Sequence, residues 1–216
     1  MSRERPFVGI VLAGGRSSRF GRDKLAETVD GEPLLWRPVR ALAAAGCSEI
    51  VLVIPPTGAE PPIPPDVATP IRRVRDAEAF GGPLSGARAG LAAVTAGGED
   101  PVVVLVAGDQ PSLVPSVLRE LVGQLDAGHR AAVLVDAAGR TRPLPMALAA
   151  SPALRAAVRL LEDGERRLRA LSEVLDAAVV PLDAWSRLDP SGATLIDIDQ
   201  PTDLPEPRPA RPPSPS

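Results

Sequence analysis

The sequence predicts an α/β fold: a three-layer, open and mostly parallel sheet with helices on both faces. Three observations lead to it. The runs Phe7-Val8-Gly9-Ile10-Val11, Ile50-Val51-Leu52-Val53-Ile54 and Val102-Val103-Val104-Leu105-Val106 are near-continuously apolar, as strands covered on both faces should be. Between such runs lie stretches with apolar residues at helical spacing, opened by proline and closed by glycine. Strand and helix alternate at lengths that suit parallel strands joined by crossovers.

The first strand spans Phe7 to Ala13 and empties into Gly14-Gly15-Arg16-Ser17-Ser18-Arg19-Phe20-Gly21-Arg22-Asp23-Lys24, a glycine-rich cationic loop. Leu25 to Asp30 suits a short extended piece turning at Asp30-Gly31. Pro33 suits the first turn of a helix ending at Gly46, with Leu35, Val39 and Leu42 on one face. Ile50–Ile54 is the second strand. Pro55 to Pro70 is too proline-rich for a regular element and reads as a surface excursion. A third strand, Ile71 to Val74, ends at Arg75-Asp76, and Gly81-Gly82-Pro83 leads a helix to Ala96. The strand Val102–Val106 ends in Ala107-Gly108-Asp109. The helix opened by Pro115 presents Leu118, Leu121, Val122 and Leu125, and Ala131–Val135 is another strand.

Beyond this point the alternation loosens. Arg142–Leu148 reads as an extended segment whose prolines, Pro143 and Pro145, place it at a sheet edge or an irregular crossing. Ser151-Pro152 suits the cap and first turn of a helix ending near Gly164. A further helix, Glu165–Leu171, carries Arg166, Arg167 and Arg169. Ala177–Leu182 and Thr194–Ile198 suit late strands, and Gln200-Pro201-Thr202-Asp203 a final turn. The expected organisation is a single domain over residues 1–204 and a proline-rich disordered tail over 205–216.

Composition narrows the function. A chain of 216 residues can bury a substantial core as one domain. A net charge of −3 with no long like-charge block favours a small-molecule partner over nucleic acid. The lone cysteine, Cys47, excludes an internal disulfide and a cysteine-built metal site, and reads as a small buried thiol. No apolar run approaches the roughly 18 residues of a membrane span, so a cytoplasmic, reducing location is expected.

In an open α/β sheet, ligands bind beyond the carboxyl ends of the strands. The Gly14-to-Lys24 loop, Asp76 and Asp109 all stand at such ends. Glycines there let the backbone approach a ligand, and successive free N–H groups form a nest for anions. Lys24 is the only lysine in a chain otherwise served by arginine, a compact point charge among rigid forks. A Gly-x-Gly-x-x-Gly fingerprint is absent after the first strand, and Arg22-Asp23 separates Gly21 from Lys24, so a P-loop fails as well. Asp109 is the kind of lone carboxylate that, with waters and substrate phosphates, holds magnesium. Its plain alternative is the opening residue of an Asp-Gln-Pro turn, and Asp76 is equally a turn residue or a ligand contact. His129 lies in a polar loop, and no Ser-His-Asp or Cys-His set can be assembled. Nucleotidyl transfer needs none, because positioning and charge neutralisation dominate its catalysis. A phosphate monoester, with a second pKa near ~6, is already an ionised nucleophile at neutral pH.

These residues resemble a known family. Leu12-Ala13-Gly14-Gly15-x-Ser-x-Arg19-x-Gly21-x-Asp23-Lys24 is similar to the signature of the MobA-like nucleotidyltransferases, the group related to molybdenum cofactor guanylyltransferase. The similarity continues through Gly82-Pro83-Leu84-Ser85-Gly86, Gly108-Asp109-Gln110-Pro111, Gly164-Glu165-Arg166-Arg167-Leu168 and Ile196-Asp197-Ile198-Asp199-Gln200-Pro201-Thr202-Asp203-Leu204. The resemblance implies a Rossmann-like nucleotidyltransferase fold. It also implies transfer of GMP from GTP onto the terminal phosphate of molybdopterin, with magnesium and release of pyrophosphate. By position, Leu12, Ala13, Gly14, Gly15 and Lys24 would contact the nucleotide, with Arg19 and Lys24 facing its phosphates. Asp76 would help hold the nucleotide, and Asp109 would bind magnesium. Arg19, Lys24 and Asp109 are thus the expected catalytic residues. Arg166, Arg167 and Arg142-Pro143-Leu144 would face the pterin, and molybdoenzyme-maturation proteins are a further class of partner.

The chain departs from the family pattern in three places. Pro55-Pro56-Thr57 stands where an asparagine is common, Arg142-Pro143 replaces a His-Pro pair, and Gly108 replaces a cysteine or serine. Cytidylyl transfer to molybdopterin, nucleotidyl transfer to a small phosphorylated acid or sugar, and a silent nucleotide or pterin carrier therefore stand as alternatives. Leu12-Ala13-Gly14-Gly15, rather than Leu-Ala-Ala-Gly, favours GTP over CTP. Lys24 and Asp109 favour an enzyme over a carrier.

Overall fold

The structure is a computed structural model that describes residues 5–14, 24–78, 81–98, 100–198 and 201–203, apart from the side chains of Lys24 and Pro201. Its strands are β1 (Phe7–Leu12), β2 (Thr28–Val29), β3 (Glu32–Pro33), β4 (Glu49–Ile54), β5 (Ile71–Arg75), β6 (Val102–Ala107), β7 (Ala131–Val135), β8 (Thr141–Ala149) and β9 (Ala178–Val180). Its helices are α1 (Trp36–Ala44), α2 (Pro83–Thr95), α3 (Pro115–Asp126), α4 (Ala150–Glu162), α5 (Arg169–Val174) and α6 (Leu182–Trp185). The seven-stranded sheet has the order β5-β4-β1-β6-β8-β7-β9, and β2 pairs with β3 in a separate hairpin. All neighbours in the large sheet are parallel except those of β8, which runs against both β6 and β7. The expected three-layer, mostly parallel fold is present.

Alternation along the strands creates the layers. Phe7, Val11, Leu52, Val104 and Leu134 face one apolar core with Val39 and Leu42 of α1, Leu118 and Leu121 of α3, and Trp185 of α6. Val8, Ile10, Val53, Leu105 and Val133 face the other, with Leu84 and Leu91 of α2, Ala153 and Ala157 of α4, and Leu171 of α5. Strands buried on both faces must be apolar throughout, which is why β1, β4 and β6 stand out in the sequence. No helix among the described residues is long and apolar enough to cross a membrane.

Several local expectations need correction. Pro33 pairs with Thr28 in the hairpin instead of opening a helix; Pro38 occupies the first turn of α1. Pro55–Pro70 has no regular element, as expected, but is no loose excursion. Ile63 and Val67 pack on the core, Trp36 Nε1 donates to the Pro62 carbonyl at 2.9 Å, and Arg40 pairs with Asp66 at 2.8 Å. Of the two places expected for the proline-bearing segment, the edge is wrong and the irregular crossing is right: it is the interior strand β8. Its register with β7 shifts between Val133 and Leu134, so Pro143 and Pro145 fall where neither neighbour pairs with them. Ser151 is not the cap of α4; its N–H is taken by the Asp100 carboxylate at 2.7 Å, an acceptor from outside the helix. Residues 165–168 are not helical, because Glu165 bonds the N–H groups of Arg166 and Arg167, and α5 starts at Arg169. Thr194–Ile198 is a 3₁₀ turn (Ala193–Leu195) and an unpaired extended stretch, not a strand. The late strand is shorter than expected and is followed by α6, whose Trp185 is buried with its N–H on the Val135 carbonyl at 3.0 Å. The expected tail lies outside the described residues.

Candidate active site

The parallel strands β1, β4, β5 and β6 all finish at one sheet edge, at Leu12, Ile54, Arg75 and Ala107. Their exits are tied together. Ala13 N–H donates to Val53 at 2.8 Å, Gly108 N–H to Leu12 at 2.9 Å and Asp76 N–H to Ile54 at 2.9 Å. These bonds join the strand exits, so Leu12, Ala13, Asp76 and Gly108 share one rim, with Gly14 and Asp109 next to them in the chain.

Two glycines let the rim close. A Cβ at Gly86 of α2 would lie 3.3 Å from the Leu12 side chain and 3.9 Å from Asp76 Oδ2, so this turn of helix bridges the ends of β1 and β5. A Cβ at Gly108 would lie 3.1 Å from the Leu12 carbonyl and 3.2 Å from both methyls of Leu25. Leu25 belongs to the 3₁₀ turn Lys24–Ala26, so from Lys24 onward the chain runs beside Gly108-Asp109. Gly15 and Arg19 lie outside the described residues; Lys24 is placed by its backbone.

Asp76 is more than a turn residue. Its Oδ1 accepts the Glu78 N–H at 3.1 Å and the hydroxyl of fully buried Ser85 at 2.8 Å. The carboxylate therefore ties the end of β5 to the first turn of α2. That turn is also met by the arginine-bearing loop, whose Arg166 carbonyl accepts the Leu84 N–H at 3.4 Å. Glu165 organises the loop. The Arg167 guanidinium first, then the N–H groups of Arg167 and Arg166, pull its carboxyl down to about 2.

At the exit of β6, Asp109 is half-buried and its carbonyl accepts the Ile198 N–H at 3.0 Å. Gln110, almost wholly buried, takes the Ala107 N–H at 3.0 Å and donates to the Thr194 carbonyl at 3.4 Å. Thr194 accepts the Val114 N–H at 3.2 Å, and its own N–H reaches buried Asp189 at 2.8 Å. Burial alone would raise the Asp189 carboxyl, but hydrogen bonds from Ser191 and Thr194 bring it below the ordinary value. Arg142, at the start of β8, reaches the Leu195 carbonyl and Asp197 at 3.4 Å each and Asp136 at 3.9 Å.

Nothing in the sequence marks Ser85, Glu165, Gln110 or Thr194 individually. Ser85, Glu165 and Gln110 fall within the family-like motifs, which is their only sequence signal; Thr194 and Asp189 carry none. His129 is exposed on its loop. Cys47 is buried, and burial pushes its thiol up to about 11, as expected of an inert core residue. Among the described residues no group of three His, Cys, Asp or Glu could cage a metal. Asp109 instead offers a single hard oxygen ligand, a donor set that fits magnesium shared with substrate phosphates and water.

Residues 9–179 match the family model described as the MobA-like NTP transferase domain. A "probable molybdenum cofactor guanylyltransferase" of Chloroflexus aggregans is 32% identical over 202 residues, covering 91% of this chain and 90% of the relative. A "molybdenum cofactor guanylyltransferase" of Xanthomonas euvesicatoria pv. vesicatoria is 33% identical over 193 residues, 88% and 90% of the two chains. Among solved structures, molybdopterin-guanine dinucleotide biosynthesis protein A from Archaeoglobus fulgidus superposes with a TM-score of 0.69 at 21% identity. That match covers 92% of this chain and 95% of the other, a likeness of fold.

Proposed function

The chain belongs to the MobA-like NTP transferase family and is a nucleotidyltransferase, and we propose that it moves GMP from GTP onto the terminal phosphate of molybdopterin. The observation that carries this reading is the shared rim. The Leu12-Ala13-Gly14 exit and the turn at Lys24 flank Gly108-Asp109, joined by the Gly108–Leu12 hydrogen bond. The names of the relatives and the Leu12-Ala13-Gly14-Gly15 pattern support guanine over cytosine.

In this reading, backbone N–H groups of Gly14 and Gly15 hold the triphosphate, and Arg19 and Lys24 balance charge as it builds on the departing pyrophosphate. A terminal phosphate oxygen of the acceptor attacks the α-phosphorus, and the bond from that phosphorus to the α–β bridging oxygen breaks. The acceptor phosphate arrives ionised, so the protein supplies no base. Magnesium at Asp109 would neutralise phosphate charge and orient the triphosphate. Asp76 fixes the first turn of α2 alongside the nucleotide, and Arg142, Arg166 and Arg167 receive the anionic pterin side. A cytoplasmic location suits this chemistry, and molybdoenzyme-maturation proteins would take over the product.

Mass spectrometry of a reaction containing GTP, magnesium and molybdopterin tests the reading. A dinucleotide joining GMP to molybdopterin is expected; unchanged molybdopterin beside active GTP turnover onto another phosphate would contradict the acceptor.

A further inference from the structure

The stretch after Thr194 crosses the site edge without joining the sheet, yet one of its residues is almost wholly buried. Ile198 is 1% exposed, while its neighbours Ile196 and Asp197 are exposed. It packs in neither of the two main cores. Its partners are Val29 of β2 and Leu34 just after β3, which form a third, separate apolar cluster. Its N–H meanwhile donates to the Asp109 carbonyl at 3.0 Å. A single residue thus grips the β6 exit with its backbone and the hairpin following Lys24 with its side chain. Leu25 adds to the same junction: its methyls lie against Gly108, and its carbonyl accepts the Leu35 N–H at 3.3 Å. The stretch that delivers Ile198 is itself anchored, through Thr194 to Gln110 and Asp189 and through Leu195 to Arg142.

We propose that Ile198 is a positioning residue, a clasp that holds the Lys24-to-Leu35 segment against Asp109. The inference rests on the reading that Lys24 and Asp109 serve one phosphoryl-transfer site. On the α1 side the hairpin is held by Arg37, which reaches the Val29 carbonyl and Asp30, and by Arg40, which pairs with Glu32; on the β6 side Ile198 and Leu25 hold it. Isolated two-stranded hairpins are marginal in water, so such external anchors decide where this one rests, and Ile198 supplies one that ties it to the Asp109 backbone. Small misplacements of a charge partner are costly in a reaction that depends on geometry. The burden falls on turnover, because the hairpin cluster is separate from both main cores.

The experiment compares Ile198→Ala and Ile198→Val in the full chain by hydrogen exchange and by steady-state kinetics with GTP, magnesium and molybdopterin. In Ile198→Ala, amides of residues 24–35 should exchange at least tenfold faster, while those of β1, β4 and β6 stay as in the wild type. Its kcat should fall about tenfold, with the KM for molybdopterin within twofold. Ile198→Val should restore both properties to within threefold. Unchanged exchange in residues 24–35 overturns the clasp, as does faster exchange across all strands, which would make Ile198 a general stability residue. Exchange is read without substrate, so it tests the clasp even if the wild type proves inactive with GTP, an outcome that would count against the proposed reaction instead.

Discussion

Removing the Asp76 carboxylate should loosen the first turn of α2 by an amount the structure allows to be worked out. Asp76 Oδ1 accepts a hydroxyl donor at 2.8 Å and an amide at 3.1 Å. A hydrogen bond to a charged group contributes roughly 1.5–3 kcal/mol net, and a buried polar group left unpaired costs ~1–3 kcal/mol. Asp76 is half-exposed, which favours the lower end for the carboxylate, but Ser85 is fully buried and would lose its partner. Asp76→Ala should therefore cost about 2–3 kcal/mol and Ser85→Ala about 1–2 kcal/mol. Because both delete the same bond, the double variant should cost about 1–1.5 kcal/mol less than the sum. Asp76→Asn, which keeps the acceptor oxygen but loses its charge, should cost under ~1 kcal/mol. Urea unfolding of the wild type and these four variants at pH 7 measures the cycle and the Asn substitution. A coupling below ~0.3 kcal/mol, or an Asn variant as unstable as the Ala variant, would refute the argument that this carboxylate ties β5 to α2.

Three further outcomes follow from the same geometry. Asp109→Ala should remain folded, as judged by a cooperative urea transition, yet lose magnesium-dependent pyrophosphate release; an active variant would remove Asp109 from metal binding. Lys24→Ala should lower kcat on the order of 10²-fold, as loss of a preorganised charge partner does, and a loss under threefold would leave it a surface charge. Glu165, held near 2 in the folded protein against an ordinary value of 4.5, binds protons more weakly folded than unfolded. Its contribution is therefore complete above about pH 4.5 and is lost as pH falls from there through about 2. The difference in urea midpoint between wild type and Glu165→Gln should stay constant from pH 8 to 5 and shrink below 4.5; a difference that grows on acidification would reverse the sign.

The parallel half of the fold was legible because buried strands must be apolar from end to end, as β1, β4 and β6 are. The strand exits that form the site followed from that. Errors gathered where a residue's usual role was taken by a distant partner. Pro33 looks like a helix opener until Thr28 pairs with it, and Ser151 looks like a cap until Asp100 supplies the acceptor. Pro143 and Pro145 left a sheet edge and an irregular crossing both open, and the structure takes the second: the register shift against β7 leaves both unpaired and the interior strand intact. Thr194–Ile198 has a strand's composition because it must bury Ile198, yet its burial is against a hairpin and its hydrogen bond is to Asp109. The residues of the candidate site are named from motifs; the supports of those the structure describes, Ser85, Gln110 and Thr194, are set by packing between segments far apart in the chain.

The most direct test of the central claim is the rate of pyrophosphate release with GTP, CTP, ATP and UTP, each measured with magnesium in the presence and absence of molybdopterin. The proposed function predicts release with GTP only when molybdopterin is present, and rates at least tenfold lower for the other three nucleotides. Release with CTP that exceeds release with GTP would contradict the guanylyl assignment, and release from GTP indifferent to molybdopterin would contradict the acceptor.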